Sequence, residues 1–158
     1  MHKVKFLLLF PLGLMMLSSV AADAQTSRKS VSAAEVNGTF RMNFTGKMRT
    51  SANEIKILAL RGGKIRVAMD LVYPYTMQNG ELMANMATLD HEALIEGDTA
   101  VYTGTGVGNC TITIKFVKLG TIKVMQNGTD AACGFGHNVS ADGTYLKVSG
   151  KKPNFEDE

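Results

Sequence analysis

The chain has few cysteines, no extended run of one charge, and no hallmark of catalysis, and each shortage excludes something. Among its 158 residues there are two cysteines. Neither falls at a lipoprotein cut site near the N-terminus, so no lipid anchor is predicted. They are Cys110 and Cys133, without the C-x-x-C or H-x-x-x-H spacing that a zinc site needs, and no metal or cofactor is predicted. No five basic residues occur in a row, which removes the electrostatic argument for nucleic acid or an anionic membrane as partner. No G-x-S-x-G elbow or H-E-x-x-H helix is present, and His91 and His137 lack a recognisable third group to orient them. The chain is therefore read as having no catalytic residues. The Gly-rich run Gly104 to Gly108 leads into Asn109 and Cys110 rather than a Lys-Ser/Thr, so it is read as a loop between strands. Asp90, His91 and Glu92 alternate across a strand and read as a solvated edge.

What is present begins with an export signal. Lys3 and Lys5 precede an apolar stretch from Phe6 to Leu17, followed by small residues ending in Ala22-Asp23-Ala24. Residues 1–24 are expected to be a signal peptide cut before Gln25. No later stretch is long and apolar enough for a membrane span. The expected location is periplasmic or secreted, and in such an oxidising compartment an even cysteine count favours one bridge, Cys110 to Cys133. Loss of Lys3, Lys5 and Asp23 leaves a net charge of about +2. Residues 25–34 are small and polar and read as a flexible leader, and residues 150–158 read as a solvated polar tail.

Between leader and tail, residues 35–149 follow a period of two. Phe40, Met42 and Phe44 alternate with polar neighbours, as do Ile65, Val67, Met69 and Leu71, and Ile112, Ile114 and Phe116. Gly62-Gly63, Asn79-Gly80, Gly97-Asp98, Asn127-Gly128 and Asp142-Gly143 supply turn chemistry at hairpin spacing. Residues 81–95 contain good helix formers, but Thr88 is β-branched and the segment fits a hairpin with 99–103, so a strand is predicted. The fold class is all-β, a single antiparallel meander of about eight strands. Closure as a calycin-like barrel is favoured, and a two-sheet β-sandwich is the alternative.

Five Asn-x-Ser/Thr sequons, at Asn37, Asn43, Asn109, Asn127 and Asn138, would matter only in a eukaryotic export route. The most distinctive segment runs from Cys133 to Tyr145. Gly134 and Gly136 flank Phe135, and Cys133 would pin them to the strand beginning near Cys110. Phe135, His137 and Asn138 are the candidate binding residues: an aromatic anchor with polar neighbours on a fixed loop. The alternative is that Phe135 plugs the barrel end and His137 merely hydrogen-bonds nearby.

Here the chain resembles a group of exported bacterial proteins with a C-terminal Cys–strand–turn–strand–Cys-Gly-Phe-Gly-x-x-Val-x-Ala-x-Gly-x-Tyr segment, matched by Cys110 to Tyr145. It is similar, more faintly, to C-terminal regions attached to periplasmic lysozyme-inhibitor families. That resemblance implies a compact β domain that blocks a peptidoglycan-cleaving enzyme by inserting a loop, and it carries over no site residue. Two functional expectations follow: a non-catalytic cell-envelope domain that binds a protein partner, in its sharper form an inhibitor of a peptidoglycan-degrading hydrolase, or a calycin-like carrier of a small apolar ligand.

Overall fold

The computed structural model describes residues 30–104 and 108–155. The expected signal peptide, the leader up to Lys29 and the centre of the Gly104–Gly108 run lie outside the described residues. The strands are β1 (Gly38–Asn43), β2 (Ala52–Ala59), β3 (Lys64–Thr76), β4 (Leu82–Glu96), β5 (Thr99–Thr103), β6 (Thr111–Lys118), β7 (Thr121–Asn127) and β8 (Gly143–Ser149). Each pairs antiparallel with the next, and β8 returns to β1, closing a barrel. The sandwich alternative is excluded by that closure, which leaves no strand unpaired along both edges.

The alternation read from the sequence decides which side chains fill the barrel. Ile55 and Ile57 on β2, Ile65, Val67 and Met69 on β3, and Ile112, Ile114 and Phe116 on β6 are all buried. Their neighbours one residue away point to the outside of the barrel, where Ala68 is nonetheless covered, Arg66 forms a forked pair with Asp90 and Lys64 reaches Glu92. Phe40 and Phe116 meet edge to face inside, with centroids 6.4 Å apart. Such a pair adds about 1 kcal/mol beyond the area it buries. The β2–β3 turn needs two left-handed residues, and Gly62 (φ 72°) and Gly63 (φ 70°) supply them.

The barrel has two dissimilar ends. At the lower end sit the β2–β3, β4–β5 and β6–β7 turns and a single-turn helix, α1 (Ala33–Val36). Ser32 caps α1 and Glu35 returns the bond in a capping box. The expected leader therefore ends sooner than residue 34. Its small polar residues conceal a helix start, and Val36 seals the barrel floor. Lys147 points inward, against the polarity of its side chain. Its Nζ donates to the carbonyls of Ala34, Glu35 and Asn37 at 2.7–2.9 Å and sits 5.0 Å from the Phe40 ring. The tail also departs from its polar reading: the Phe155 ring lies 4.3 Å from the Arg66 guanidinium on the outer wall.

At the upper end, β3 pairs with β2 only as far as Asp70, while its pairing with β4 continues from Leu71↔Ala87 to Thr76↔Leu82. The β3–β4 hairpin thus overhangs the rim. On its far side, β4 pairs with β5 only over Leu94–Glu96. Asn127-Gly128 does not make a tight hairpin: it opens a long connection, residues 128–142, that folds across the rim between β7 and β8.

Candidate functional site

The rim connection is built around the bridge expected from the sequence. Cys110 and Cys133 are joined, with Cα atoms 5.0 Å apart, tying the connection to the start of β6. Such a bridge fits an oxidising compartment. Asp130 organises the next residues. Its Oδ1 accepts from the Ala131 N–H at 2.7 Å, its Oδ2 accepts from the Asn138 N–H at 2.6 Å, and His137 Nδ1 stands 3.6 Å away. The backbone N–H of Asn138, then that of Ala131, hold the Asp130 carboxyl below the usual carboxylate range. Further on, Gln126 Oε1 accepts from the Ala141 N–H and Asp142 Oδ1 from the Gln126 N–H, so the connection is sewn to the end of β7.

Across the rim the connection touches the overhanging hairpin. Asn85 Nδ2 donates to the His137 carbonyl at 2.7 Å. Gly136 packs so close to β4 that a Cβ there would stand 2.6 Å from the Met86 carbonyl oxygen, so only glycine fits. Beneath it, Tyr145 is fully buried. Its hydroxyl donates to the Ala141 carbonyl at 3.0 Å and is hydrogen-bonded to Asn53, whose Oδ1 accepts from the Val72 N–H. Burial pushes the Tyr145 phenol up to about 12.

These constraints separate the three candidate residues. Phe135 is 7% exposed and packs with Val139 and Ala141 in the core, so it is the plug of the barrel end and not a surface anchor. His137 and Asn138 do reach the surface. Asn138 has the only positive φ (62°) of a non-glycine residue among those described, and the His137 side chain is 82% exposed. With Asn85, Tyr73 and Tyr75 they line an open cleft of about 490 Å³. Tyr73 and Tyr75 lie on the inward-facing side of β3, but beyond the rim that side is open. Their rings stack, with centroids 6.4 Å apart and an interplanar angle of 26°.

The aromatic side chains that stand open beside His137 and Asn138 are thus Tyr73 and Tyr75, and not Phe135. A signal was there: Tyr73-Pro74-Tyr75 keeps the strand period but lies close to the Asn79-Gly80 turn, past the point where the neighbouring strand could cover it. Elsewhere, His91 faces the Tyr102 ring at 4.4 Å, and Asp90 is held below its usual range, chiefly by its hydrogen bond from Arg66. Asp90 and Glu92 are thus ion-paired on the outer wall, and His91 between them lies on the other face of β4. Among the described residues no cluster of histidine, cysteine, aspartate or glutamate could hold a metal ion, and no helix is long and apolar enough to cross a membrane.

Compared with protein-family models, curated proteins and solved structures, the chain matches none of them.

Proposed function

We propose that the protein is a non-catalytic, exported cell-envelope domain that binds a protein partner at the upper rim, and that the partner is a peptidoglycan-degrading hydrolase whose activity it blocks. One observation carries the reading. Two stacked tyrosines stand open at the rim beside His137 and Asn138, on a connection fixed by the Cys110–Cys133 bridge and the Asp130 hydrogen bonds. Tyrosine supplies large contact area at little conformational cost, and a pre-ordered loop loses little entropy on docking. Met83, the cross-strand partner of Tyr75, and Met77 beyond the end of β3 are exposed beside the two tyrosines and extend the apolar surface. Hydrolase inhibition is drawn from the resemblance of the Cys110–Tyr145 segment and from the expected export.

The test is inhibition of lysozymes of several types by the chain at equimolar and excess ratio, beside its Tyr73→Ala/Tyr75→Ala variant. Inhibition that weakens at least about tenfold in the variant supports the reading. No slowing of any type at excess removes the inhibitor. The carrier reading has one place in its favour, a pocket of about 270 Å³ at the lower end, lined by Val31, Val36, Leu60, Ile65 and Ile95. Native mass spectrometry showing a co-purified apolar molecule would support it.

A further inference from the structure

Basic residues that are scattered along the sequence are gathered by the barrel onto one wall. β6, β7, β8 and β1 are consecutive around the closed ring. They contain Arg41, Lys115, Lys118, Lys123 and Lys147 and no aspartate or glutamate. The facing half, β2 to β5, holds Glu54, Asp70, Asp90, Glu92 and Glu96 beside Lys56, Lys64 and Arg66. Lys147 is turned inward to α1, and Arg41 is paired with Glu54 on β2. Lys115 and Lys123 alternate with buried Ile114, Phe116, Ile122 and Val124, so both face outward, and they are direct cross-strand partners. Like charges in that register destabilise a sheet unless something else neutralises them. Among the described residues, no ion pair involves Lys115, Lys118 or Lys123. The acids of the flanking segments are engaged locally: Glu35 in the capping box, Asp130 and Asp142 in the rim connection.

The same wall exposes aliphatic side chains where the lysines converge. Leu119, at the tip of the β6–β7 hairpin, is 80% exposed, and Leu146 and Val148 on β8 are 57% and 52% exposed. Leu146 is the partner of Thr121, and the Lys147 N–H donates to the Gly120 carbonyl at 2.8 Å, which places Val148 beside the hairpin tip. Lys151 and Lys152, both exposed, follow directly after β8.

We propose that this wall docks on an anionic lipid bilayer, with Leu119 leading Leu146 and Val148 into the headgroup layer and Lys115, Lys118 and Lys123 set against lipid phosphates. Charge alone would suit any polyanion. The aliphatic tip between the lysines selects the bilayer, because a polyanionic chain offers it no apolar region to enter, whereas the headgroup–acyl boundary does. The inference stands apart from the rim cleft, which lies at the other end of the barrel.

The experiment is co-sedimentation of the chain, recovered from the export compartment of an expression host, with phosphatidylcholine vesicles with and without phosphatidylglycerol. The expected result is binding at least about tenfold stronger to the anionic vesicles and weakened by added salt. It should be lost in Lys115→Glu/Lys118→Glu/Lys123→Glu, reduced several-fold in Leu119→Asp, and unchanged in Arg61→Glu, a control on the β2–β3 turn. Circular dichroism confirms the fold of each variant, and single Lys→Gln changes replace the triple variant if it does not fold. Equal binding to both vesicles would assign the effect to apolar contact without the lysines and overturn the proposal. So would retained binding in the lysine variants, or an unaltered Leu119→Asp variant with competition by soluble polyphosphate.

Discussion

Tyr145 shows how much a single side chain can reveal about the strength of this core. Its phenol is buried against Ala141 and Asn53 and is held neutral up to about 12, above the value of about 10 for an exposed phenol. A group whose folded pKa is raised adds stability that is complete below the unfolded value and is lost as pH climbs through the folded one. The unfolding free energy from urea titrations should therefore fall between about pH 10 and pH 12, by about 2–3 kcal/mol for this residue. Tyr145→Phe should flatten that decline while costing about 1–2 kcal/mol at neutral pH, since the Ala141 carbonyl loses its donor. Equal slopes in parent and variant would contradict the assignment. At Gly136 the constraint is steric. Gly136→Ala drives a methyl against the Met86 carbonyl and should cost about 1–3 kcal/mol, with crosspeak shifts at Asn85 and His137 in NMR spectra. Both positions stand in the distinctive Cys133–Tyr145 run, so their importance was legible. What each touches was not, because Met86 and Asn53 reach them only through the fold.

At the scale of elements, the strands were readable because one face of each is apolar and the period is two. Each exception has its own physical cause. Lys147 sits at an inward position yet is a lysine, because the carbonyl ends of α1 need a donor there. The helix itself is one turn long, with too few residues for a periodic signal, and only the Ser32–Glu35 capping box announces it. The tyrosine pair was missed because it obeys the inward pattern of β3. Only the longer reach of the hairpin, set by where β2 stops pairing, turns an inward position into an open one. The rim connection is an element of its own, and the bridge is its hinge pin. The bridged residues are 23 positions apart, and reduction should lower stability by about 3 kcal/mol. Far-UV circular dichroism should stay that of a β protein, because β6 and β7 also pair with each other along their length. A melting temperature unmoved by reductant would show that the connection holds without it.

For the molecule as a whole, ring order accounts for surface properties that no single segment displays. The acid-free wall is formed by β6, β7 and β8 and widened by β1, which closes beside β8; its lysines are spaced among buried residues and not in a row, which is why a scan for charge runs passes over it. The proposed lipid-facing hairpin tip and the proposed protein-binding rim occupy opposite ends, so both could be engaged together. Protection across the ring should also be uneven. From Leu82 to Ala93, β4 has a strand partner on one side only among those described. In hydrogen–deuterium exchange, its amides turned away from β3 should exchange well before those of β2 and β7; uniform protection would show that this edge is covered. Finally, the ring is shut by the short register of Thr39 with Ser149, Phe40 with Lys147 and Arg41 with Leu146, which joins the two most distant parts of the described chain. That seam makes folding an all-or-nothing matter of chain length: until synthesis has passed residue 149, β1 and β7 are bare flanks with Phe40 at the gap, and a product cut short there should be prone to clumping and early degradation.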